Sequence, residues 1–259
     1  MRAFVIFSVL LLTAVIGSAQ TLARVEDELA GHLAKLEKAS NYTGSHDYDV
    51  LGKENQALKA AFLKYGVRAD LLAAPLTKLK KAMTITTSRD GKFRTYSWDT
   101  NEGGTMHDFL TVYQYRGKSG KVHAWAAPDE EGGGGAFVQQ IFQTDAAAGT
   151  IYLTVSTFIG STSLGGQTIS AITIDGEKLD RSPKVIKTAS GLKSSVSFQY
   201  DFFSVVDHPE RPVKLFYYDE SKKSFRFPVV IQDKKTPQGR VTNRFITYRF
   251  NGKYFERAT

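Results

Sequence analysis

Close to Met83 the spacing of apolar residues changes from three-and-four to two, and it keeps that period to the C-terminus. A helix buries one stripe at a period of 3.6 and a strand buries alternate residues, so the change divides the chain into two kinds of structure. Before it, Leu22, Val25, Leu29, Leu33 and Leu36 form one helical stripe, with Thr21 as its expected N-cap. Residues 41–52 are polar and turn-rich and are expected as a loop. Ala57, Leu58, Ala61, Phe62 and Tyr65 make a second short stripe, and Gly66 is placed to end it. A third segment, 70–82, carries Leu71, Leu72, Leu76 and Leu79, with Pro75 marking a kink or the first turn of a fresh helix.

After Met83 the runs around Phe93, Tyr96 and Trp98, around Phe109, Val112, Tyr113 and Tyr115, and over 151–155 and 169–174 are rich in aromatic and β-branched residues. Such side chains fit a pleated surface. Asp90-Gly91, Asp175-Gly176 and Asn251-Gly252 sit between these runs and supply the positive φ that tight hairpins need. Residues 117–120 and 220–223 look like longer hairpin loops. No long helical pattern interrupts the strands, which argues against βαβ units and for antiparallel pairing. About a dozen strands are expected, too many for one open sheet, so the body should be a sandwich or barrel. Similar turn-and-aromatic segments near 90–93 and 251–255 do not recur at the fixed period of a propeller. The expected fold is mainly β, an antiparallel meander over 83–259 preceded by a short α-helical segment over 20–82.

The first 19 residues read as a cleavable signal peptide. Arg2 is followed by an uncharged run over 3–19, and Gly17-Ser18-Ala19 places small residues before a cut at Gln20. At 17 residues that run is at the short limit for crossing a hydrocarbon core of about 30 Å, and no basic cluster follows it. Nothing else in the chain is long and apolar enough, so the mature form is expected not to span a membrane and to be periplasmic or extracellular. The chain has no cysteine, which excludes disulfides, thiol catalysis and a lipid on the cut end. The formal charge of +8 is spread along the chain rather than clustered, so nucleic acid is not an expected partner.

Catalytic signatures are missing where they would be legible. The five histidines make no metal-binding pair, and both calcium-like starts, at Asp47 and at Asp99, place leucine at the twelfth position where an oxygen ligand is needed. No serine elbow occurs, and the glycine run 132–135 is not followed by the Lys-Ser/Thr of a phosphate loop. No metal site, cofactor or catalytic residue is assigned. Carboxylates that meet only in space leave no spacing rule, which keeps a hydrolase open.

The densest unusual stretch is 96–107. It ends a strand in an aromatic and an acid, crosses a polar Gly103-Gly104 loop and re-enters a strand. Trp98, Asp99, Glu102 and His107 are the candidate binding residues, Trp98 as a face for a sugar ring. The sequence thus points to a non-enzymatic binding module for a glycan, an envelope component or a protein partner. The alternatives are an envelope-directed hydrolase with paired carboxylates, and a scaffold whose residues 21–82 dock on a partner.

Overall fold

The computed structural model describes residues 20–40, 46–127 and 135–258. The expected signal peptide, 1–19, lies outside the described residues, as do 128–134, which hold most of the glycine run. Helix α1 spans Leu22–Ala39, α2 Tyr48–Tyr65 and α3 Ala69–Ala73, followed by a 3₁₀ turn at Leu79–Lys81. The stripe expected on α1 is its buried face, Val25, Leu29, Leu33 and Leu36, and the Thr21 side chain accepts a hydrogen bond from the Arg24 N–H at its start.

Helix α2 begins inside the stretch expected to be a loop. Asp47 caps it by accepting from the Val50 N–H at 3.1 Å, and Leu51, fully buried, extends the stripe one turn towards the N-terminus. With only Val50 beside it, between Asp49 and Gly52, Leu51 sets no helical period in sequence. Gly66 ends α2 as expected, but with ordinary helical torsions, φ −66° and ψ −8°. Its reason is space: a Cβ there would stand 2.6 Å from the Ala124 Cβ of the adjoining sheet.

Fifteen strands follow among the described residues, five of them only three residues long. Strands β1 (Thr84–Thr87), β2 (Phe93–Asp99), β3 (Phe109–Arg116) and β4 (Val122–Ala126) form the first sheet as a simple meander. The second sheet is built from β5 (Phe137–Ala146), β6 (Gly149–Ile159) and β7 (Leu164–Asp175), with β8 (Lys178–Asp180) clipped to β7. The chain then forms β9 (Ile186–Thr188) and β10 (Gly191–Lys193) and returns as β11 (Ser195–Asp201) to pair with β7. Strands β12 (Tyr217–Asp219), β13 (Ser224–Ile231), β14 (Arg240–Phe250) and β15 (Phe255–Arg257) complete a third sheet, in the order β10-β9-β15-β14-β13-β12. Every pairing is antiparallel except β15 with β9. Gly91, Gly176 and Gly252 of the three Asx-Gly turns all have positive φ.

The period of two assigns faces to layers. On β2, Tyr96 and Trp98 join the helices' leucines in one core, whereas Phe93 joins Tyr152 and Ile172 of the second sheet in another. The opposite face of the second sheet, with Leu153, Val155 and Ile169, meets Phe216, Phe225, Phe227 and Phe255 of the third in the largest aromatic core. The result is four layers: helices, first sheet, second sheet, third sheet. The apolar stripes of α1 and α2 are spent on the chain's own first sheet. Each fully buried large side chain contributes roughly 1.5–3 kcal/mol, which suits a fold with no disulfides. Among the described residues no helix is long and apolar enough to cross a membrane.

Candidate functional site

Strand β4 pairs with β3 only from Val112 to Arg116, so Phe109, Leu110 and Thr111 have β2 on one side and no described strand on the other. A cleft of about 670 Å³ lies along this edge and reaches both faces of the first sheet. On the helix side it is lined by Asn55, Gln56, Lys59 and Leu110, and on the other by Thr111 and Tyr113, facing Thr154, Ser156, Ser170 and Ile172 of the second sheet. Such a volume is within the range of small-ligand sites.

The near wall is held by one buried amide. Asn55 of α2, 2% exposed, donates through Nδ2 to the Thr100 carbonyl at 2.9 Å. Its Oδ1 accepts from the Trp98 indole N–H, also at 2.9 Å. The seam between the two sheets is made of hydroxyls: Ser97 and Thr111 bond each other at 2.8 Å, Ser97 accepts from the Val138 N–H, and Thr111 donates to the Ala136 carbonyl. At the mouth the Arg181 guanidinium lies 4.1 Å from the Trp125 ring centroid and 5.4 Å from that of Tyr113, a cation held by two ring faces. Burial raises the Tyr113 phenol above its ordinary pKa, against the opposing pull of Arg181.

The four residues singled out in sequence have different fates. Trp98 reaches the cleft wall, but it is 1% exposed and Phe62 stacks on it at 5.7 Å between centroids. Its ring belongs to the helix-facing core, and a free stacking face is not what it supplies. Glu102 lines the cleft beside Gly52 of α2. Asp99 and His107 are not among the lining residues; they close the loop on itself. The Asp99 carboxylate accepts from the Asn101 N–H at 2.9 Å and meets His107 Nδ1 at 2.5 Å. The His107 backbone N–H donates to the Ile159 carbonyl, which ties the loop to β6. Gly103 is required there, because a Cβ would stand 2.0 Å from the Met106 carbonyl.

An oriented Asp–His pair invites a catalytic reading, yet no described hydroxyl bonds the His107 ring. Equivalent pairs occur outside the cleft lining, His32 with Glu54 at 2.6 Å and His123 with Glu177 at 2.7 Å, so carboxylate-tied imidazoles are a general device of this chain. Among the described residues no group of three His, Asp or Glu side chains is placed to hold a metal ion. Asp108, a second carboxylate of the lining, is engaged at 2.6 Å by the Gly135 N–H.

Sequence reasoning missed Asn55, Tyr113, Arg181 and the Ser/Thr positions of β6 and β7. Alternation along 151–155 and 169–174 signalled strands, but nothing local said that their polar faces share a cleft with β3. No family model matches this chain, and no match is found among curated proteins or solved structures.

Proposed function

We propose that this chain is an exported, non-enzymatic binding module that takes a glycan into the cleft between its first and second sheets. The observation that carries this reading is the chemistry of the lining. Ser156 and Ser170 bring hydroxyls that make no side-chain hydrogen bond to another described residue, while Phe109 and Tyr113 bring ring surface. A sugar offers the complement, hydroxyls that both donate and accept on an otherwise apolar ring. The signal-like residues 1–19 support placing the module in the periplasm or outside the cell, where envelope glycans are found.

The test is a glycan array probed with the full chain and with a Ser170→Trp variant that fills the cleft from its floor. Binding should fall at least tenfold in the variant, equivalent to about 1.4 kcal/mol. Glycan binding that survives the filled cleft unchanged would refute this site.

A hydrolase reading has one observation in its favour: Glu102 and Asp108 line the same cleft. It requires release of reducing sugar from the bound glycan, and loss of that release in Glu102→Gln.

A further inference from the structure

We infer that the binding surface continues out of the cleft along the uncovered face of the second sheet, and that it takes a linear, uncharged polysaccharide rather than a single sugar. This extension rests on the glycan reading of the cleft. The registers of β6, β7 and β11 align nine side-chain positions in three rows on that face: Thr154, Ser170 and Ser195; then Ser156, Thr168 and Ser197; then Phe158, Gly166 and Gln199. The intervening residues, among them Val155, Ile169 and Phe198, turn the other way into the aromatic core. Three rows two residues apart on three strands cover roughly 14 Å by 10 Å.

Two hollows open onto this face and meet on it. The cleft takes the Thr154, Ser156 and Ser170 end. A second hollow, of about 580 Å³, takes Phe158, Thr168, Ser197 and Gln199 of this face, and at the β11 edge it also reaches Phe198 of the opposite face and Val230 and Gln232 beside the third sheet. Ser156 of the first lies directly opposite Thr168 of the second, so the two form one track along the strands. At the far end the Phe158 ring lies over Gly166, where a Cβ would stand 2.0 Å from the ring edge. The glycine makes room for a ring laid on the sheet, half-exposed at the end of the track.

Two properties set this face apart from ordinary sheet surface. First, none of the nine positions is charged; Thr154 and Gly166 are buried, and at the chain's 23% the other seven would carry about two charges. The solvent face of the third sheet follows that ordinary pattern, with Lys187, Arg226, Arg249 and Glu256 on directly opposed or next-but-one positions. Exposed sheet usually carries such charges to stay soluble and unpaired. Second, the side chains of Ser156, Thr168, Ser170, Ser195, Ser197 and Gln199 make no hydrogen bond to another described residue, and none of their polar atoms is sealed from solvent. Uncharged groups that donate and accept, in a track ending in an aromatic ring, match a neutral sugar chain; an anionic chain would find no cation along these rows.

The experiment is calorimetric titration of the full chain with chito-, cello-, xylo- and malto-oligosaccharides, each from disaccharide to octasaccharide, alongside the glycan array. Affinity in at least one series should rise at least tenfold with length beyond the disaccharide. Ser197→Lys, Gln199→Lys and Phe158→Ala should each remove most of that rise while leaving disaccharide binding unchanged, and the two lysine variants, at exposed positions, should leave the melting temperature unchanged as well. Affinity that is independent of length, or a length effect that survives all three variants, overturns the extended track and leaves the cleft reading intact. No binding in any series overturns the track; if the array is silent too, the cleft reading falls with it.

Discussion

Replacing Asn55 with leucine asks how much the helices contribute to holding the cleft wall. The side chain is 2% exposed and makes two hydrogen bonds of 2.9 Å, one to the Thr100 carbonyl and one from the Trp98 indole. Leucine has a similar size and removes both at once. Trp98 and Thr100 are each 1% exposed, so water cannot replace the lost partner without opening the core. A buried donor or acceptor left unsatisfied costs about 1–3 kcal/mol, and the added apolar burial of leucine returns up to about 1.5 kcal/mol. With two groups orphaned and about 1 kcal/mol returned, the expected net loss is about 1–5 kcal/mol, read from urea unfolding followed by far-ultraviolet circular dichroism, so that neither tryptophan is the probe. A double-mutant cycle with Trp98→Phe isolates the indole bond. Phenylalanine has no N–H to orphan, so Asn55→Leu should cost at least about 1 kcal/mol less in that background. A loss below about 1 kcal/mol, or a fully additive cycle, would refute the assignment of Asn55 as the tie between helix, tryptophan and loop.

Gly166→Ala should destabilise by about 1–3 kcal/mol, because its Cβ would stand 2.0 Å from the Phe158 ring, and it should cost much less in a Phe158→Ala background; thermal melts of the parent and the three variants decide it. At Glu54, burial pushes the carboxyl pKa up, but hydrogen bonds from His32 at 2.6 Å and Lys35 at 2.9 Å outweigh it and hold it below the ordinary 4.5. A depressed carboxylate adds stability that is present above the unfolded value and fades as pH falls through the folded one. Melting temperatures measured from about pH 6 down to about pH 3 should therefore fall less steeply in Glu54→Gln than in the parent, and identical slopes would refute the pairing.

The parts of the fold that were legible are those whose cause is local. The stripe from Val25 to Leu36 needs only a period of three and four, and each of its leucines is buried as the period requires. The Asx-Gly turns need only a residue that tolerates positive φ, and Gly91, Gly176 and Gly252 supply it. The start of α2 is hidden because the adjacent Val50 and Leu51 are the only aliphatic residues of its first two turns and set no helical period. Whether Trp98 is a binding face or a core residue stays open in sequence, because aromatic residues in strands look alike from either face. Burial was decided by Phe62 and Asn55, which lie 36 and 43 residues earlier in the chain.

By itself the sequence determined a helical lead-in, an antiparallel body and the position of five hairpin turns, since hydrophobic period and turn chemistry act between near neighbours. It also determined that no disulfide contributes to stability, since there is no cysteine to cross-link. Only the tertiary structure decided that the strands stack as three sheets, that β4 stops short and leaves an edge beside a cleft, and that Thr154, Ser170 and Ser195 stand in one line. Those outcomes depend on register between strands that meet through space. A shift of one residue would have turned every serine of that face into the core.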